Sequence, residues 1–134
     1  MSFIYMYEQL SKLQEENSAY YRVEVFDNRN VLQGGLFRGL NGLLKELWKA
    51  DDELYDYINE PLSRLEYATP YPDNLENPKI KFAYKQEAWV NLIEDIRDID
   101  TELNKIGWSL NITKLTQPTN IIYEDDVQIA FIGH

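Results

Sequence analysis

Between Gln86 and Ile106 seven large apolar residues, Trp89, Leu92, Ile93, Ile96, Ile99, Leu103 and Ile106, return every three or four positions. That spacing matches the helical period, so the stretch reads as an amphipathic helix with one apolar stripe, and Gly107 supplies its stop. A stripe of this length needs a surface to lie on, because helical stability in proteins comes mostly from packing that face.

The neighbouring segments offer such a surface. Tyr21, Val23 and Val25 alternate with Arg22, Glu24 and Phe26; "DNRN" punctuates, and "VLQGGLF" returns as the second arm of a hairpin. Ile80, Phe82 and Tyr84 alternate with Lys79 and Lys81. Trp108, Leu110 and Ile112 alternate again and, after the break at "TQPTN", so do Val127, Ile129 and Phe131. Three more helical pieces are expected. Phe3, Met6, Tyr7, Leu10 and Leu13 predict a helix over 2–16 with Ser2 as its cap. Asn41 is placed to cap a helix carrying Leu43, Leu44, Leu47 and Trp48, whose pattern resumes after Asp51 with Leu54, Tyr55 and Ile58. Proline costs about 3 kcal/mol in a helix interior, so Pro61 predicts a break, with Asn59 capping a short piece through Leu65. Residues 68–78, "ATPYPDNLENP", read as an exposed loop.

The expected fold is a single two-layer α+β domain over residues 1–134, in the order α-β-β-α-α-β-α-β-β, with a mostly antiparallel sheet packed against helices. A chain of 134 residues is long enough to bury roughly two-thirds of the surface its unfolded form exposes.

Composition excludes several functions. The absence of cysteine removes thiolate nucleophiles, disulfides and sulfur-ligated zinc, and fits a cytoplasmic protein. The start lacks a basic n-region and carries Glu8 where a signal peptide stays apolar. No apolar run reaches the roughly 18–20 residues that span a bilayer, and a net charge of -10 is repelled by anionic lipid, so no membrane partner is expected. Abundant Tyr and Asn with scarce Ala hint at an AT-rich gene, as in a low-GC bacterium or its phage.

Two motifs invite an enzymatic reading. "GGLFRGLNG", residues 34–42, holds four of the six glycines, and Gly34 to Gly39 has the P-loop spacing. Leu40 and Asn41 stand where that motif needs Lys and Ser/Thr, so the glycines are expected to shape the backbone, with anion binding at the helix start as the lesser reading. "YEDD", Tyr123 to Asp126, resembles the Y-x-D-D of reverse-transcriptase palms, which implies magnesium held by adjacent carboxylates. The resemblance covers four residues of 134, and a palm needs a further aspartate, fingers and a template channel that so short and acidic a chain does not supply. The lone histidine is the last residue, His134, which leaves a Ser-His-Asp triad without a base. No catalytic residue, metal or cofactor is expected.

The placement of acid is the strongest functional signal. Residues 51–66 hold six acids against Arg64, residues 94–102 hold five against Arg97, and Glu124, Asp125 and Asp126 follow. Asp95, Asp98 and Glu102 fall at i, i+3 and i+7, opposite the apolar stripe, with neighbouring carboxylates roughly 5–6 Å apart. Such a row approximates a phosphate backbone. The expected function is therefore an acidic, non-enzymatic inhibitor of a basic nucleic-acid-handling protein, a nuclease among the candidates. The favoured setting is a phage or mobile-element anti-defence protein of anti-CRISPR or anti-restriction type. The alternatives are an immunity protein against a cationic toxin and a small metal-dependent enzyme using YEDD. The expected contact residues are Asp51, Asp52, Glu53, Asp56, Asp95, Asp98 and Glu102, with Tyr67 and Tyr71 as interface aromatics. Direct nucleic-acid binding is not expected, and a homo-oligomer is left open.

Overall fold

The structure, a computed structural model, describes residues 19–72 and 79–132. The helix expected over 2–16, residues 73–78 of the expected loop and His134 lie outside the described residues.

Strand β1 (Tyr20–Phe26) organises the sheet. One of its edges is filled along its whole length by antiparallel β4 (Ser109–Leu115), with Tyr20 opposite Leu115 and Phe26 opposite Ser109. A strand has only two edges, so the other is shared. There β2 (Leu32–Gly35) pairs with the Glu24–Phe26 end and β3 (Ile80–Lys85) pairs with Tyr20 and Tyr21. Arg22 and Val23 fall between the two partners, where the sheet forks. Beyond β3 lie β6 (Gln128–Ile132) and then β5 (Ile121–Glu124), and every pairing is antiparallel. The hairpin turn is held by Asp27, whose carboxylate accepts from the amides of Arg29 (2.8 Å) and Val31 (3.0 Å) and from the Gln33 side chain (3.0 Å).

The two-residue period of β1 sends Tyr21, Val23 and Val25 to one face, where Leu110 and Ile112 of β4 join them. Helices α1 (Leu36–Ala50) and α3 (Gln86–Asn104) lie on that face, and α2 (Asp52–Ala68) packs against both. Fully burying a side chain such as Leu40, Ile58, Ile96 or Ile99 contributes about 1.5–3 kcal/mol. Trp89, at 1% exposure, sets its ring against Tyr21 (centroids 4.9 Å apart) and Tyr84 (6.3 Å). Asp100 is buried in the same interface and accepts from the Leu110 amide at 2.9 Å, which ties α3 to β4. Burial raises its carboxyl above the usual range, against the hydrogen bonds from Leu110 and Asn104. A smaller cluster of Ala83, Ile129 and Phe131 occupies the opposite face of the sheet. The α+β arrangement thus matches the expectation.

Several boundaries differ. Helix α1 starts at Leu36 with Gly35 as its N-cap, so Asn41 is an exposed helical residue and not a cap, and Gly39 and Gly42 lie within the helix. The break between helices falls at Asp51, whose carboxylate accepts from the Leu54 amide at 3.0 Å, and not at Asn59. Pro61 sits inside α2 without ending it. Leu54, Ile58, Leu62 and Leu65 are all buried on both sides of the proline, and that shared face outweighs the lost backbone bond. An additional strand, β5, pairs with β6 where only one terminal strand was expected after "TQPTN". Among the described residues no helix is long and apolar enough to cross a membrane.

Candidate functional site

The contact of α2 with α3 brings together two acidic segments that lie far apart in the chain. Between them runs a groove of about 300 Å³, lined by Tyr57, Glu60 and Arg64 from α2 and by Asp98, Thr101 and Glu102 from α3. Arg64 bridges the helices. Its guanidinium lies 2.9 Å from Asp95 and 3.3 Å from Glu60, and the hydrogen bond to Asp95 chiefly raises its pKa. Lys105 donates to Glu102 at 3.0 Å and stands 6.0 Å from the centroid of the Tyr57 ring. The Glu102 hydrogen bond likewise raises the lysine's pKa, with Glu53 adding a weaker pull.

The expected row on α3 is therefore uneven. Asp95 and Glu102 are partly covered and each carries a cation, whereas Asp98 is exposed and makes no ion pair among the described residues. On α2, Asp52, Glu53 and Asp56 are exposed and make no ion pair among the described residues, and Asp51 divides its role between surface charge and helix cap. Tyr67 stands 91% exposed near the end of α2. Tyr71 belongs elsewhere, packing on Phe82 with centroids 5.3 Å apart, away from the interhelical groove. Sequence reasoning missed Glu60, Arg64, Tyr57 and Thr101 as groove residues. The signal available was Arg64, the sole base among residues 51–66.

Of the YEDD carboxylates, Asp125 holds a turn. Asp125 accepts from the Tyr123 hydroxyl (2.7 Å) and from the amides of Val127 (2.8 Å) and Gln128 (2.9 Å). Burial opposes its ionisation, but these hydrogen bonds together outweigh burial and lower its pKa. Glu124 pairs with Lys85 at 2.6 Å. Among the described residues no group of three or more His, Asp or Glu side chains is placed to hold a metal ion.

In the glycine stretch each residue has its own geometry. Gly34 has φ +130°, and a Cβ there would lie 3.3 Å from Cγ of Arg38. Gly39 brings α1 against β1 so closely that a Cβ would fall 2.6 Å from that of Val25. Both serve backbone geometry, as expected of the stretch, although Gly39 serves a helix–strand contact rather than helix entry.

No protein-family model matches this chain, and none of the curated proteins or solved structures compared with it does.

Proposed function

We propose that the chain is an acidic, non-enzymatic binding protein that docks its α2–α3 face on a basic, nucleic-acid-handling partner and blocks it. One observation carries this reading: separate acidic segments converge on adjacent helices, exposing Asp52, Glu53, Asp56, Glu60 and Asp98, of which Glu60 and Asp98 line a groove together with Arg64. Like charges on neighbouring turns repel, so gathering them costs stability, and a cationic partner recovers that cost. Tyr57, 53% exposed beside the groove, adds the aromatic surface that interfaces favour. A phage or mobile-element inhibitor of a defence nuclease is the setting that uses these features most directly, since such a partner already carries a groove built for phosphate.

The test uses the native host's lysate and two immobilised proteins, the natural chain and the triple variant Asp52→Asn, Asp56→Asn, Asp98→Asn. A partner captured by the first and identified by mass spectrometry is then measured for association rate, salt response and competition by duplex DNA. The expected result is association slowed about 10-fold in the variant, steep weakening with salt, and displacement by DNA. A partner bound equally by both proteins and indifferent to DNA would overturn the reading. Capture of a secreted toxin would instead select the immunity function.

A further inference from the structure

The fork in the sheet holds chemistry that the acidic face does not use. Where β2 and β3 part beside Arg22, a cleft of about 320 Å³ opens, within the range of small-ligand sites, roughly 300–1,000 Å³. Its described lining includes Arg22, Arg38, Lys79 and Lys81 and no Asp or Glu, in a chain with 23 acids and 13 bases. Of these, Arg38 and Lys81 make no ion pair among the described residues. Arg22 is fixed in place, donating to the Phe82 carbonyl at 3.1 Å, with Glu24 3.5 Å from its Nε.

Tyr84 adds a polar group to the same cleft. Tyr84 lines the cleft and is only 4% exposed, yet its hydroxyl makes no hydrogen bond among the described residues. Burial raises its pKa above the ordinary value, against the pull of Arg22, so it is a neutral donor. Unlike the Tyr21 hydroxyl, which is buried without a partner, the Tyr84 hydroxyl still reaches solvent, and an anionic oxygen in the cleft can accept from it. The cleft also borders the start of α1, where Gly35 provides no side-chain cap and the first turn carries no acid, leaving amide donors unclaimed within the helix. Phe37 and Phe82 supply apolar walls, and they also line an adjoining cavity of about 630 Å³ that includes both Lys45 and Glu66.

We propose that the fork cleft binds a phosphorylated small molecule carrying a planar ring, of the nucleotide class, with phosphate in the gap of the sheet between Arg38 and the Tyr84 hydroxyl on the helix face and Lys81 on the other, and the ring against Phe37 and Phe82. The P-loop comparison misses such a site because the charge comes from β3 and from Arg38, which folds back over Gly34, and not from a lysine after the glycines. The glycines still shape backbone; the cations are delivered by the topology.

The full chain is titrated with ADP, adenosine, pyrophosphate and a short single-stranded oligonucleotide, followed by calorimetry and by amide chemical shifts in NMR. ADP is expected to bind with a dissociation constant of about 100 μM or tighter, with shifts centred on the fork. Adenosine and pyrophosphate should each bind about 10-fold more weakly. Arg38→Ala with Lys81→Ala should weaken ADP about 10-fold or more, since charge-assisted hydrogen bonds are lost, and Tyr84→Phe should weaken it several-fold, with melting temperatures held as the control for folding. No shifts at about 1 mM ADP would overturn the proposal. So would ADP binding unchanged in the double variant, pyrophosphate matching ADP, or the oligonucleotide binding the fork more tightly than ADP.

Discussion

Asp125 and Asp126 are adjacent carboxylates with different duties. Asp125 accepts three hydrogen bonds that close the β5–β6 turn, whereas Asp126 is exposed. Asp125→Ala is expected to destabilise the fold by about 1–3 kcal/mol, because it strips the turn amides of their acceptor. Asp126→Ala should fall within about 0.5 kcal/mol of the natural chain. The pH dependence follows from the lowered pKa of Asp125. The unfolded chain takes up the proton first, so this contribution is fully present above the ordinary carboxylate value of 3.8 and is lost as pH falls through the folded value beneath it. Chemical denaturation of both variants from pH 7 down to pH 2 checks this. An Asp125→Ala chain with unchanged stability and acid response would show that the turn does not depend on that carboxylate. In the sequence the pair was visible as a motif, but which carboxylate accepts depends on where β6 returns, and four residues of local pattern do not contain that.

At the scale of elements, legibility followed the range of the interaction. The hairpin and α3 could be read directly, because their apolar periods and the turn chemistry of Asp27 lie within contiguous windows. Pro61 was misread, since its cost is local while the compensation from Ile58, Leu62 and Leu65 is tertiary. The fork was not legible at all: it needs β2 and β3, which are distant in the chain, to share one edge of β1. The start of α1 was likewise hidden, because Gly39 reads as a turn residue until Val25 is seen beneath it. That contact predicts opposite signs for two similar substitutions. Gly39→Ala drives a methyl group into Val25 and should cost about 1–3 kcal/mol. Gly42→Ala places the same methyl where nothing lies within 4 Å and should stabilise the helix by about 0.5–1 kcal/mol. Thermal unfolding of the two variants should therefore straddle the natural melting temperature; equal shifts in one direction would show that α1 is not seated on β1 through Gly39.

For the whole molecule, the unequal distribution of charge sets the response to salt. With a net charge of -10, repulsion among exposed carboxylates opposes the compact state, whereas pairs such as Arg64–Asp95, Lys85–Glu124 and Lys105–Glu102 favour it. Salt weakens both effects. Exposed pairs of this kind contribute little to stability, and repulsion acts among many unpaired acids over a longer distance, so relief of repulsion should win. The Debye length contracts from about 30 Å at 0.01 M to about 8 Å at 0.15 M, which is enough to separate the acids of one helix face from those of the next element. The melting temperature is therefore expected to rise by a few degrees over that range, in a salt with little specific binding such as sodium chloride. The triple variant Asp52→Asn, Asp56→Asn, Asp98→Asn should start higher at low salt and rise less, because part of the repulsion has already been removed. A melting temperature that falls with salt, in the natural chain and the variant alike, would mean that the ion pairs already compensate the acidic face. The α2–α3 surface would then carry no unspent attraction for a basic partner, and the proposed mode of docking would lose its physical premise.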